Sequence, residues 1–101
     1  MKYKIVWLDK AIEELDRIYD FYFQKNPNVA IKIYNSILAD VRYLESFPEI
    51  AAIEPLLKDR TKAFRSLVTK NKLFKIIYYF DSQNVFVMSI FCCRRNPKDL
   101  K

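Results

Sequence analysis

The sequence predicts an α+β domain of order β-α-α-β-β-β, a helical hairpin packed on one face of a mainly antiparallel sheet of about four strands. Three observations carry that expectation. Two successive segments of the first half repeat apolar residues at the helical period of about 3.6. Three segments of the second half are strand-like, with apolar and aromatic residues in alternation, and short turns join them. A further alternating segment precedes the helices. One hundred and one residues suit a single domain, 1–101, with one core.

In chain order, Tyr3, Ile5 and Trp7 alternate with Lys4 and Val6, which reads as the first strand. Asp9 stands where a helix cap is wanted, and the helix runs from Lys10 to about Gln24. Ala11, Ile12, Leu15, Ile18, Tyr19 and Tyr22 line its apolar stripe, and Glu13, Glu14, Asp16, Arg17 and Asp20 its polar face. Asn26-Pro27 supplies a cap followed by proline at the first helical position. The second stripe is Ala30, Ile33, Tyr34, Ile37, Leu38, Val41 and Leu44, running to about Ser46, and Phe47-Pro48 ends it. So short a connection makes the two helices antiparallel.

Residues 48–62 hold two prolines and little periodicity, a loop with room for one short helical turn. Strands are expected at Ala63–Thr69, Leu73–Phe80 and Val85–Cys93. The chain has no glycine, so Asn71 and Asn84 are the expected positive-φ residues of the two turns. On the middle strand Lys75 and Tyr79 share one face with Ile77, while Tyr78 lies on the other with Phe74, Ile76 and Phe80. Tyr78 is therefore expected in the core with its hydroxyl satisfied.

Composition narrows the chemistry. With no histidine and two cysteines, the chain cannot build a usual zinc site alone, nor Ser-His-Asp or Cys-His catalysis. Without glycine there is no Walker loop or dinucleotide fingerprint, and no cofactor or metal is expected. No apolar run reaches the roughly 18 residues that span a bilayer, and Asp9 and Lys10 interrupt any signal-peptide core, so a cytoplasmic address and no membrane partner are expected. Charge is uneven: residues 1–57 carry a net −2 and residues 58–101 a net +8. A basic half suits an anionic partner, either nucleic acid or an acidic protein segment.

The octet Ile90-Phe91-Cys92-Cys93-Arg94-Arg95-Asn96-Pro97 ends the last strand. Neighbouring cysteines face opposite sides of a strand, so at least one of Cys92 and Cys93 reads as packing and the two do not read as a redox pair, while the two arginines read as charge delivered at the strand end. Four aromatics crowd residues 19–23, where Phe21 and Phe23 point about 160° apart, so either one packs under the sheet and the other is exposed, or, the slightly favoured reading, both are covered by the inter-helix loop or the chain termini. Arg65 opens the second strand, able to bind phosphate, an acidic partner, or a helix carboxylate such as Glu13 or Asp16.

Several short motifs share one order and spacing with a known group. They are the strand ending at Trp7, the helix closing on Leu44-Glu45-Ser46-Phe47-Pro48, and Arg65-Ser66-Leu67. Phe74-Lys75-Ile76-Ile77-Tyr78 and Arg94-Arg95-Asn96-Pro97 complete the set. Over nearly its whole length the chain resembles the RelE/ParE superfamily of bacterial type II toxin–antitoxin toxins, and its long hairpin and Arg-Arg-Asn-Pro ending look closer to the ParE-like branch. That resemblance implies a toxin that binds and poisons DNA gyrase and is neutralised by a cognate antitoxin, with operator DNA met only through the antitoxin. A homodimer or a hetero-oligomer with the antitoxin is implied as well.

The alternative is a RelE-like endoribonuclease cutting mRNA in the ribosome. Such nucleases usually carry a Tyr or His soon after the last strand, and here Arg95 is followed by neither. The balance leans against an enzyme. If the chain were a nuclease, Arg65, Lys75, Tyr79 and Arg94 are its expected catalytic groups. Target contacts are expected at Arg65, Lys70, Lys72, Lys75, Arg94 and Arg95, and antitoxin contacts at Phe21, Phe23 and Arg65. A plain nucleic-acid-binding module is a third reading, which the lack of an obvious recognition helix disfavours.

Overall fold

A computed structural model describes residues 2–93. The order is β1 (Lys4–Trp7), α1 (Asp9–Lys25), α2 (Pro27–Tyr43), a 3-10 turn at Pro55–Leu57, β2 (Arg65–Val68), β3 (Phe74–Phe80) and β4 (Asn84–Cys92). The four strands form one sheet in the order β1-β4-β3-β2. β1 runs parallel to β4, and the other two pairings are antiparallel. The helical hairpin carries the chain from the β1 edge to the β2 edge and covers one face on the way.

Helix boundaries follow local bonding. Leu8, not Asp9, is the N-cap of α1 and makes no side-chain cap bond. The reason is that the Leu8 amide donates to the Val87 carbonyl at 3.0 Å, which prolongs the extended run beside β4 by one residue. Asp9 instead begins the helix, where its charge favours the dipole. Asn26 behaves as expected: its side chain accepts from the amides of Asn28 and Val29, and Pro27 follows at the first position. α2 stops at Tyr43, short of Ser46, because the amides of Leu44, Glu45 and Ser46 bond three residues back and tighten the last turn.

The main core lies between hairpin and sheet. Ala11 and Leu15 of α1 and Ile33, Ile37 and Val41 of α2 pack on Ile76, Tyr78, Val85, Val87 and Ile90. Glu14 of α1 is tied to the sheet as well, accepting from the Ser89 hydroxyl at 2.7 Å and the Ile90 amide at 3.2 Å. The opposite face is partly covered, by a smaller cluster of Leu57, Ile77 and Phe91.

β4 changes its inward parity midway. Tyr78 pairs with Val87 but Ile77 with Ser89, which leaves Met88 as the extra residue of a β-bulge. Hence Val85 and Val87 face the helices before the bulge and Ile90 after it, while Phe91 turns to the smaller cluster.

The turns correct the expectation for Asn71 and Asn84. The positive φ belongs to Lys72, at 63°. Asn71 spends its side-chain oxygen on the Leu73 amide, an Asx turn that passes the left-handed position to the next residue. Asn84 already lies in β4, and Asp81 holds that turn by accepting from the amides of Gln83 and Asn84. β2 is also shorter than Ala63–Thr69, since Thr69 turns to close on Phe74.

Candidate functional site

Arg65 and Tyr78 are cross-strand partners on the helix-facing side of the sheet. The buried Tyr78 hydroxyl donates to the Pro48 carbonyl at 2.6 Å. Burial raises its pKa above 10.0, so at neutral pH it stays a protonated donor. The Arg65 Nη1 donates to the carbonyls of Ala51 at 2.5 Å and Glu49 at 3.4 Å. Its guanidinium lies 5.5 Å from the centre of the Phe80 ring, and its Nε is buried with no partner. Arg65 therefore binds neither Glu13 nor Asp16. It clamps the loop after α2, because the loop carbonyls reach it first.

Lys75 points to the other side of the sheet. Its Nζ lies 3.0 Å from Glu54 Oε1, and the Glu54 side chain is only 1% exposed. Glu54 Oε2 accepts from the Leu56 amide at 3.0 Å, capping the 3-10 turn. Burial pushes the Glu54 carboxyl up, but the Leu56 amide, Lys75 and Ser66 together outweigh it and hold the group below its ordinary 4.5.

Tyr79 has little free ring surface. It stacks on Phe86 at 4.8 Å, meets the edge of Phe64 at 5.4 Å, and carries the Lys62 ammonium 4.7 Å from its centre. Lys70 and Lys72 are exposed in the β2–β3 turn. The Lys70 amide donates to the buried Asp40 Oδ2 at 3.1 Å, which holds that turn against α2. Arg94 and Arg95 lie outside the described residues. Arg65 and Lys75 are thus not brought onto one face, and Lys70 and Lys72 form a separate basic corner.

Phe21 and Phe23 are both exposed, at 56% and 47%, so neither packs under the sheet. Tyr22, between them, takes the inward position instead. Phe21 packs edge-on to Tyr22 and under the Lys25 ammonium at 5.0 Å. It also borders an apolar groove of about 340 Å³ with Ile18, Phe74 and Cys92. Cys92 packs on the main core, Cys93 is exposed, and both are free thiols. Among the described residues, no helix is long and apolar enough to cross a membrane.

Sequence reasoning passed over Glu54. Its signal was present, an acid directly before Pro55, the pattern of a helical-turn cap. It also passed over Tyr43, Phe47 and Ile50, exposed at 47%, 47% and 52% around the loop that Arg65 clamps.

A helical hairpin on a four-stranded mixed sheet, in β-α-α-β-β-β order, is the architecture of RelE/ParE-type toxins. The family model described as "ParE toxin of type II toxin-antitoxin system, parDE" matches residues 5–97, and the chain belongs to this family, the ParE-like branch of the superfamily. A chain from a solved structure of the "Chromosomal ParDE TA system from P. aeruginosa" superimposes with a TM-score of 0.74 at 23% identity, covering 90% of this chain and 96% of that one. At that identity the likeness establishes the shared fold. No curated protein sequence matches the chain.

Proposed function

We propose that this type II toxin acts in the cytoplasm by binding and poisoning DNA gyrase, without covalent chemistry of its own, and that a cognate antitoxin neutralises it. Family membership supports the toxin class. One observation favours a binding mode over nuclease chemistry: the described groups that RNA cleavage would use are engaged elsewhere, on two sides of the sheet. Arg65 holds loop carbonyls, Lys75 holds Glu54, and Tyr79 is enclosed by Phe86, Phe64 and Lys62. Cleavage through a 2′-hydroxyl needs a base, an acid and a phosphate clamp converging on one scissile bond.

In this reading Lys70 and Lys72, together with Arg94 and Arg95, supply the positive field toward the gyrase–DNA complex, and Phe21 and Phe23 meet the antitoxin. Arg65 and Lys75 contribute by holding the surface in shape. The antitoxin is expected as the product of a small neighbouring reading frame with an acidic, amphipathic C-terminal half. Induced expression tests the target. Filamentation and DNA-damage signalling with continuing bulk translation are expected, and the purified protein should inhibit gyrase supercoiling. Rapid translation arrest with mRNA cuts inside codons would overturn the reading in favour of the ribosome.

A further inference from the structure

The turn between β2 and β3, residues 69–73, is tied down at every residue, and each of its exposed side chains ends in a donor. Thr69 is buried; its hydroxyl donates to Asn71 Oδ1 at 2.6 Å and accepts from the Phe74 amide at 3.3 Å. The Lys72 amide donates to the Thr69 carbonyl at 2.8 Å, and the Leu73 amide to Asn71 Oδ1 at 3.0 Å. From outside the turn, Asp40 of α2 accepts from the Lys70 amide at 3.1 Å, and the Cys93 amide donates to the Leu73 carbonyl at 2.9 Å.

The orientation of Asn71 decides the chemistry. A backbone amide can only donate, so the bond from Leu73 fixes which end of the Asn71 carboxamide turns inward, and it is the oxygen. The free end of this exposed side chain is the nitrogen, with two N–H donors. Lys70 and Lys72 flank it, both exposed and neither in an ion pair among the described residues. Ammonium, amide nitrogen and ammonium in succession suit ligand oxygens that only accept. Lys72 holds its place at φ 63°, a conformation that a side chain with a Cβ adopts at a cost.

The elements around the turn do not cancel its charge. α2 brings Asp40, which is buried and bonded to the Lys70 amide. β3 brings Lys75, which points to the other face and pairs with Glu54. Past Phe74 and Cys92, α1 brings Arg17 to the groove they share, and the exposed Asp20 stands next to Phe21 in sequence. In the sequence, Cys93 leads into Arg94 and Arg95. α1 is mixed in sign there, whereas the exposed side chains of the turn are only positive or donating.

Nor does the turn offer an apolar anchor. Leu73 packs on the main core, and the exposed Val68 shares the face turned away from α2 with its partner Lys75. Protein docking sites are built round buried aromatic or aliphatic anchors. Contacts to nucleic-acid phosphates need none, and lysine and asparagine side chains make them.

We propose that Lys70, Asn71 and Lys72 grip the phosphate backbone of duplex DNA, so that the toxin touches the DNA held by gyrase as well as the enzyme. This rests on the reading above that gyrase with its DNA is the target. The contact is independent of base sequence.

The test is the affinity of the purified toxin for a short mixed-sequence duplex, without gyrase, across a salt series. Wild type is compared with Lys70→Gln/Lys72→Gln and with Lys10→Gln/Lys32→Gln, which removes two charges from the helices instead. Asn71→Asp keeps the inward oxygen and replaces the outward donor with an acceptor. Wild-type binding is expected to weaken with salt. Each phosphate neutralised adds about 0.9 to the slope of log affinity against log salt, so the turn variant should be shallower by about 1.8. The helix variant should keep the wild-type slope, and Asn71→Asp should lose affinity at every salt concentration with an unchanged melt.

No duplex binding by wild type, an unchanged slope in the turn variant, or an equal loss in the helix variant overturns the proposal. So does loss of antitoxin affinity, or of affinity for DNA-free gyrase, in a turn variant that still binds duplex, which assigns the turn to an acidic protein surface. If the slopes behave as expected but wild type leaves gyrase supercoiling unchanged, the gyrase reading fails and the phosphate contact stands by itself. Should the turn variant not fold, Lys70→Gln alone decides, with an expected change of about 0.9.

Discussion

Glu54 shows how one buried carboxylate can organise a stretch of irregular chain. It caps the 3-10 turn through Leu56, pairs with Lys75 across to β3, and is closed off from water at 1% exposure. Glu54→Gln should cost about 1.5–3 kcal/mol at neutral pH, the range for hydrogen bonds to charged groups. Because the folded pKa lies below the ordinary 4.5, the unfolded chain takes up the proton first as pH falls. The contribution of Glu54 is therefore complete above pH 4.5 and is lost as pH drops through the folded value. Urea denaturation of wild type and variant at pH 7 and at about pH 3 checks this: the gap between them should narrow at acid pH. The pairing was not legible in the sequence, where Lys75 and Glu54 stand 21 residues apart.

The connections departed further from expectation than the regular elements did. Both helices form where their stripes place them, and only their ends move, by one to three residues, for reasons of local bonding. The β2–β3 turn differs more, since it forces Lys72 to φ 63°. A side chain with a Cβ is strained there, and Lys72→Gly should stabilise the domain by about 0.5–1 kcal/mol. For a domain of this size that reads as a melting temperature several degrees higher, about 4–8 °C per kcal/mol. A lower melting point would show that the lysine makes a compensating contact in solution. The Met88 bulge was equally hidden. Alternation alone gives one parity along Val85–Cys93, and the slip appears only when β4 is paired with β3.

Among the described residues, the exposed apolar and aromatic side chains include Phe21 and Phe23 on the outer side of α1 and Tyr43, Phe47 and Ile50 around the clamped loop. Both signs accompany the first, with Lys25 over Phe21, Arg17 at its groove and the exposed Asp20 next to Phe21 in sequence. Both signs accompany the second, with the exposed Arg42 beside Tyr43 and Glu45 and Glu49 on either side of Phe47 in sequence. Phe21→Asp should weaken antitoxin binding at least about tenfold without changing the melt, as for an aromatic hot spot exposed before binding. Titration calorimetry against the antitoxin measures it, and unchanged affinity would remove Phe21 from that interface.

By itself the sequence determined the order of elements, the antiparallel hairpin, the inward face of β3 with Tyr78, and the lack of a histidine-based site. Periodicity, capping and composition are properties of neighbouring residues and need no partner to be read. Only the tertiary structure decided that Arg65 clamps a loop, that Lys75 answers Glu54, and that β4 changes parity at Met88. Those outcomes depend on groups brought together from distant positions, such as Tyr78 and Pro48, 30 residues apart, or Ser89 and Glu14, 75 apart. Which partner a buried donor or charge finds is settled by packing and desolvation once the chain has closed on itself.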